Sequence, residues 1–224
     1  LFSRIKSYDI SKNKRIVILG SPGTGKSMFL KFLLLTNSNE NLEIAHPDYY
    51  YAKFPIYVEL RDFAKEKLKR EHSYNLFTYI KEDLTKKLAV DENRIVRELL
   101  KNWLEDQENC LLLLDGYDEI LDENFRRKIQ IMVEEFTSNY RNNHIIITSR
   151  GAGYKICQSP EEEYIHFKLE KFNDEQKKQF LINLFDALNQ EEKIELVLET
   201  LKNNEKINEL AENPLMLTIM ALMT

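Results

Sequence analysis

The 224-residue sequence contains only two cysteines, Cys110 and Cys157. Cys110 opens an apolar run that is typical of a buried strand, so a disulfide between the two is not expected. Few cysteines and no predicted disulfide favour a reducing compartment. The four histidines show no metal-ligand spacing with one another or with cysteine, so the sequence predicts no dedicated zinc site.

The sequence also lacks an excess of positive charge and any long apolar run. Its net charge is -5, so there is no global basic field to attract nucleic acid or anionic lipid. We interpret the lysine-rich segment Ala64–Arg70 as a solvated loop or helix face rather than a binding patch. No apolar run approaches the roughly 20 residues that span a bilayer, and no signal peptide is evident. We therefore predict a cytoplasmic protein with no membrane span and no clear nucleic-acid site.

Glycine is scarce, with six residues, yet three of them fall between positions 20 and 25. The segment Gly20–Ser27 reads GSPGTGKS and satisfies the phosphate-loop pattern G-x-x-x-x-G-K-[ST]. A β-branched run, Ile16–Leu19, precedes it and predicts a strand, while the apolar pattern from Met28 onward predicts a helix. This context favours a nucleoside triphosphate site over a glycine-rich turn with an exposed lysine.

In such a loop, backbone N–H groups and the helix N-terminus surround the phosphate oxygens. Lys26 is expected to reach the β and γ phosphates, and Ser27 to place its hydroxyl on Mg²⁺. The predicted nucleotide-binding residues of the loop are Gly20, Ser21, Pro22, Gly23, Thr24, Gly25, Lys26, Ser27 and Met28.

Strand and helix patterns alternate along the rest of the first 172 residues. Further strands are predicted at Phe54–Leu60, Cys110–Asp115, His144–Ser149 and Tyr164–Leu169, and amphipathic helices at Asn75–Leu88, Arg94–Asp106 and Phe125–Tyr140. Alternation with apolar central strands predicts an α/β fold, a mostly parallel five-stranded sheet covered by helices on both faces.

After Leu169 the strand patterns cease. Asn173–Leu188 opens with a cap-like asparagine and Gln176 three residues later, and helical stretches begin near Glu191, Glu205 and Pro214. We predict a phosphate-loop domain over residues 1–172 and a small helical subdomain over 173–224. The chain starts at Leu1 and stops inside an apolar pattern, so we expect it to be a piece of a longer protein.

The apolar run that ends at Asp115 is followed by Gly116, Asp118 and Glu119. At the carboxyl end of a parallel strand, Asp115 is expected to hold Mg²⁺; the alternative is a strand-end acid that caps a turn. Asp118 or Glu119 could orient the attacking water, and we favour Glu119 as the base. A plain pair of acids at a helix N-terminus is the alternative.

Arg150 follows another apolar strand by one residue, a position from which its guanidinium could reach a γ-phosphate. This requires the fourth strand to lie between the first and the third, which is the order 5-1-4-3-2. A local ion pair is the alternative role for this arginine.

These motifs together resemble the NACHT family of P-loop ATPases, within the wider STAND group that is related to AAA+ proteins. The matching segments are Gly20–Ser27, Pro55–Phe63, Leu111–Glu119, Ile145–Arg150 and Asn213–Met220. The segment DGYDE discriminates best, because related AAA+ ATPases usually put the catalytic Glu directly after the metal Asp, where this chain has Gly116.

The resemblance implies an ATP-operated switch that is ADP-bound and closed at rest and that self-associates through its NTPase domain when triggered. It implies slow hydrolysis with Mg²⁺, a nucleotide contact from Pro214, and a role in signalling or innate immunity. A winged-helix region and the sensor and effector domains would lie outside this sequence. Asn213 and Pro214 would also suit any helix start, as N-cap and first-turn proline.

Other functions use the same loop. An AAA+-like motor would need pore-loop aromatics, for which His46–Pro55 is the candidate, and an arginine finger donated between subunits. A small-molecule kinase would need an arginine-rich lid, and no arginine cluster follows the helices. A nucleotide-locked scaffold would bind nucleotide without hydrolysing it.

Overall fold

The computed structural model describes residues 14–38, 54–70, 73–89, 93–105, 110–151 and 164–224. Cys157 and the segment 46–53 lie outside these ranges. The described strands are β1 (Arg15–Leu19), β2 (Phe54–Glu59), β3 (Cys110–Asp115), β4 (His144–Ser149) and β5 (Ile165–Lys168). The described α-helices are α1 (Lys26–Ser38), α2 (Leu60–Lys69), α3 (Leu76–Leu88), α4 (Asn93–Glu105), α5 (Glu123–Asn139), α6 (Asp174–Leu188), α7 (Ile194–Asn203), α8 (Glu205–Leu210) and α9 (Pro214–Leu222).

The five strands form one parallel sheet in the order β2-β3-β4-β1-β5. Read from the other edge this is 5-1-4-3-2, so the predicted order is confirmed. Every residue of β3 and β4 is buried, as expected for central strands covered on both faces.

Helices cover both faces of the sheet because successive strand residues point to opposite sides. Val17 belongs to the apolar cluster formed with α2, α3, α4 and α5. Its neighbours Ile16 and Ile18 belong to a second cluster, with Phe29, Leu30 and Leu33 of α1. The predicted α/β architecture is therefore confirmed.

Helix α2 is the main element that the strand and helix patterns did not predict. The chain leaves β2 at Glu59 and turns directly into a helix, with Leu60, Phe63 and Ala64 buried against the sheet. Lys65 and Lys69 stay at the surface beside acids of the same helix, with 2.8 Å between Lys65 Nζ and Asp62 Oδ1. Lys67 is half-buried and donates to the Tyr74 carbonyl at 2.7 Å. The lysine-rich segment is thus a solvated helix face.

The four last helices pack around an apolar cluster of their own. Its buried members are Phe172, Leu181, Phe185, Val197, Leu201, Ala211, Leu217 and Ala221. Asn173 and Gln176 form the expected capping box at the start of α6. A domain boundary at residues 172–173 stays a prediction. No helix in the described ranges is both long and apolar enough to cross a bilayer.

The Asn143 side chain links the chain segments that lead into strands β3 and β4. This fully buried side chain donates from Nδ2 to the Leu104 carbonyl at 2.8 Å and accepts from the Cys110 N–H at 3.1 Å. One amide thereby joins the end of α4 and the start of β3 to the residue before β4.

We predict that Asn143→Ala lowers the free energy of unfolding by about 2 to 4 kcal/mol, because it leaves buried backbone groups without partners. Urea unfolding measures this change. Asn142→Ala, at the exposed neighbouring position, is the matched control and should change stability by no more than about 0.5 kcal/mol. Equal stability of the two variants would contradict the assignment.

Candidate active site at the carboxyl edge of the sheet

The phosphate-loop motif joins β1 to α1 in a tight backbone turn. Gly23 has φ +78° and Gly25 has φ +93°, in the left-handed region that favours glycine. Lys26 is the first residue of α1, and its Nζ donates to the Gly20 carbonyl at 2.7 Å and to the Ser21 carbonyl at 3.0 Å. The ammonium group therefore lies against the loop that precedes its own helix.

Asp115 lies at the carboxyl end of β3 and is buried. Its Oδ2 accepts a hydrogen bond from the Tyr57 hydroxyl at 2.8 Å, and its Oδ1 accepts one from the Thr148 hydroxyl. The Thr148 oxygen in turn accepts from the Gly116 N–H at 2.9 Å. Neighbouring strands on both sides thus fix the carboxylate in place.

Burial raises the pKa of Tyr57 well above its ordinary value, and the adjacent Asp115 carboxylate raises it further. The phenol therefore keeps its proton at neutral pH and remains a hydrogen-bond donor. Tyr57 and Thr148 were not among the site residues predicted from the sequence. An alternation signal within a strand does not tell which side chains meet across strands.

Asp118 and Glu119 follow in a short 3-10 helix, Tyr117–Glu119, that Gly116 opens with φ +74°. The two acids have different partners. Asp118 Oδ2 lies 2.8 Å from Arg150 Nε, and its side chain is only 8% exposed. Glu119 Oε2 lies 3.3 Å from Arg61 Nη1 of α2, and its side chain is 41% exposed.

Four of these charged groups, Asp115, Asp118, Glu119 and Arg150, act on the ammonium of Lys26. Partial burial lowers the pKa of Lys26, while Asp118, Asp115 and Glu119 raise it and Arg150 lowers it further. The structure therefore brings the predicted residues of the loop, of β3 and of β4 to one edge of the sheet.

The start of α9 contacts the phosphate loop directly. Asn213 Nδ2 donates to the Pro22 carbonyl at 2.8 Å, and the Leu215 N–H donates to the Gly23 carbonyl at 3.2 Å. A Cβ on Gly23 would lie 2.6 Å from Asn213 Oδ1, so the approach leaves no room for a side chain. Pro214, between the two donors, is buried.

The sequence model of the NACHT domain matches residues 14–187, most of the chain. The chain belongs to the NACHT family. The resemblance stated from the motifs is thereby confirmed, and with it the placement among P-loop NTPases, which bind nucleotides. Comparison with curated proteins finds no match.

The NACHT site offers oxygen ligands that suit Mg²⁺. Asp115 is a buried carboxylate whose direct partners are two neutral hydroxyls, and the described residues give it no ion pair. A buried, unpaired carboxylate favours a bound cation, and a carboxylate with a hydroxyl such as that of Ser27 is a donor set that Mg²⁺ accepts. Within the described ranges, no group of three or more His, Cys, Asp or Glu could hold a metal.

The described part of the structure gives two of the predicted loop residues, Ser27 and Met28, no contact that would establish a role in this NACHT site. Met28 is 67% exposed. The Ser27 hydroxyl is partly buried and has no hydrogen-bond partner among the described residues. The nucleotide and metal roles of both remain predictions.

Asn213 has two separable tasks, and a pair of variants divides them. Its Oδ1 caps α9 by accepting from the Leu215 N–H at 3.0 Å, while its Nδ2 donates to the loop. Asn213→Asp keeps the cap but loses the donor. We predict that it speeds the dissociation of fluorescent ADP about three- to tenfold, because α9 is then held less firmly on the loop.

Stopped-flow displacement by unlabelled ADP measures this rate. Asn204→Ala is the control, because it removes the Asn204 cap of α8, which accepts from the Ile207 N–H at 3.1 Å, and leaves the loop contact intact. An unchanged rate in Asn213→Asp, or an equal increase in both variants, would contradict a specific link between α9 and the nucleotide.

Proposed function

We propose that this NACHT domain is an ATP-binding and slowly hydrolysing molecular switch. The observation that carries the proposal is the convergence of one lysine, three acids and one arginine beside the phosphate loop. These residues are Lys26, Asp115, Asp118, Glu119 and Arg150. They supply a cation for phosphate, a carboxylate for a metal, a base for water and a guanidinium for the γ-phosphate.

In this proposal the phosphate loop holds the nucleotide. Backbone N–H groups between Gly23 and Met28, at the N-terminus of α1, would face the phosphate oxygens. Lys26 exchanges the carbonyl contacts of its ammonium group for contacts with the β and γ phosphates. Those contacts to Gly20 and Ser21 hold the side chain over the loop before nucleotide binds.

Ser27 and Asp115 would hold Mg²⁺. When bound, the ion neutralises negative charge on the phosphate oxygens. Tyr57 and Thr148 orient the Asp115 carboxylate and leave its charge unpaired.

Glu119 is the proposed base. Both Asp118 oxygens already contact Arg150: Oδ1 accepts from its backbone N–H, and Oδ2 is paired with Nε. Glu119 is more exposed, and its one ion pair in the described part of the chain is with Arg61. An exposed ion pair is weak, so it leaves the Glu119 carboxylate able to orient water.

The contact between α9 and the loop supports a closed, ADP-bound resting state. Since Asn213 and Leu215 bind the loop carbonyls, movement of the helical subdomain would alter the loop, and a different nucleotide would alter the docking. We propose that the opened domain self-associates in the cytoplasm. Sensor and effector domains outside this sequence would then convert the change into signalling or defence.

A nucleotide-locked scaffold is the second candidate. The Arg61–Glu119 ion pair favours it, because a base held by an arginine is a poorer acceptor for the proton of water. Steady-state ATP turnover, measured with Mg²⁺, separates a slow ATPase from a scaffold that hydrolyses nothing.

We predict that Lys26→Ala weakens ATP binding about ten- to a hundredfold, because it deletes a charge-assisted contact with phosphate. Isothermal titration measures the affinity. Lys31→Ala is the matched control, an exposed lysine of the same helix, and should bind like the wild type. Wild-type affinity in Lys26→Ala would remove the basis of the proposed site.

We predict that Glu119→Gln preserves Mg-ATP binding and lowers turnover at least about a hundredfold, because the amide keeps the shape but cannot act as a base. Binding and phosphate release are measured on the same preparation. Undiminished turnover in Glu119→Gln would exclude it as the base. Lost turnover in Asp118→Asn with full ATP binding would assign that role to Asp118 instead.

A further inference from the structure

Asp118 and Arg150 are joined by one hydrogen bond from the arginine backbone and one ion pair with the arginine side chain. The backbone N–H of Arg150 donates to Asp118 Oδ1 at 2.8 Å. The side-chain Nε lies 2.8 Å from Asp118 Oδ2. One carboxylate therefore fixes both the point where β4 ends and the direction in which the arginine side chain leaves it.

The two partners differ in their access to water. The Asp118 side chain is 8% exposed, while the Arg150 side chain is 52% exposed. Both carboxylate oxygens contact the arginine, and the low exposure of Asp118 limits its access to another ligand. The arginine uses only Nε of its guanidinium, and its Nη1 and Nη2 have no partner among the described residues.

This arrangement orients the guanidinium through Nε and leaves its terminal nitrogens, Nη1 and Nη2, available to a ligand. Two terminal nitrogens that carry parallel N–H groups are the part of arginine that binds phosphate oxygens. An arginine on an exposed surface would otherwise sample many rotamers, and ordering it on ligand binding would cost free energy.

The pair lies beside the phosphate loop. The charges of both Asp118 and Arg150 act on the Lys26 ammonium, with opposite effects on its pKa. Arg150 also follows Ser149, whose strand position pairs with Leu19 at the end of β1, immediately before the loop.

We propose that Asp118 is a positioning residue that orients Arg150 to recognise the γ-phosphate, and so sets the preference for ATP over ADP. This rests on the proposed function, in which Arg150 contacts that phosphate. Asp118 acts through Arg150 and does not itself handle the attacking water.

The test compares Asp118→Ala, Arg150→Ala and the double variant. Affinities for Mg-ADP and for the Mg complex of the non-hydrolysable analogue β,γ-imido ATP are measured by isothermal titration. Asp118→Ala is expected to weaken analogue binding about five- to tenfold and ADP binding less than about twofold, since only the analogue carries the γ-phosphoryl group. The double variant should match Arg150→Ala, because residues that act as one unit are not additive.

Asp118→Asn provides a conservative variant in case the alanine variant does not fold. Its amide oxygen can still accept from the Arg150 N–H, while the charged partner of Nε is lost, so an intermediate loss of analogue affinity is expected. Glu135→Gln is the charge control, an exposed carboxylate of α5, and should bind both nucleotides like the wild type.

Three results would overturn the inference. They are equal losses for both nucleotides in Asp118→Ala, fully additive losses in the double variant, and unchanged analogue affinity in Asp118→Ala or Asp118→Asn. The proposed function fails separately, if Lys26→Ala binds nucleotide with wild-type affinity or if Arg150→Ala loses as much affinity for ADP as for the analogue. If those two variants behave as expected and Asp118→Ala binds like the wild type, only the positioning role is wrong.

Discussion

The pairing of β4 with β1 on one side and β3 on the other is the constraint on which the candidate site depends. Parallel pairing places Thr148 beside Ile18 and Ile147 beside Leu114, so all three strands end at the same edge. The phosphate loop leaves β1 there, the acids leave β3, and Arg150 leaves β4. A different strand order would separate these groups, because ligands of a parallel sheet bind at the carboxyl ends of neighbouring strands.

Much of this arrangement follows from local sequence. The apolar runs of β3 and β4, the glycines of the loop and the capping box of α6 are short-range patterns, and the bounds predicted for these elements lie within a residue or two of those observed. The loop pattern also specified Lys26 and Ser27 as site residues, since their roles depend on spacing alone. NACHT family membership could be inferred for the same reason, from motifs that are each continuous in sequence.

Other features could not be predicted, because they depend on partners that are distant in sequence. Tyr57 and Thr148 flank Asp115 only after β2 and β4 have paired with β3. Arg61 reaches Glu119 because the chain enters α2 directly after β2, and the strand pattern of that segment gave no sign of the helix. The contact between Asn213 and Pro22 spans 191 positions. The residues predicted a helix cap at Asn213, and the family resemblance implied a nucleotide contact from Pro214, but neither predicted a hydrogen bond to the loop.

The ion pairs at this edge divide the charged residues into two groups. Asp118 is paired with Arg150, and Glu119 with Arg61. Asp115 and Lys26 have no ion pair in the described part of the chain, and their direct partners are hydroxyls and carbonyls. These two are also the residues to which the motifs assign a metal ion and phosphate. A partly buried charge without an ionic partner gains most from a ligand of opposite sign. The ion pairs within the protein therefore leave Asp115 and Lys26 available at the positions where Mg²⁺ and phosphate are expected to bind.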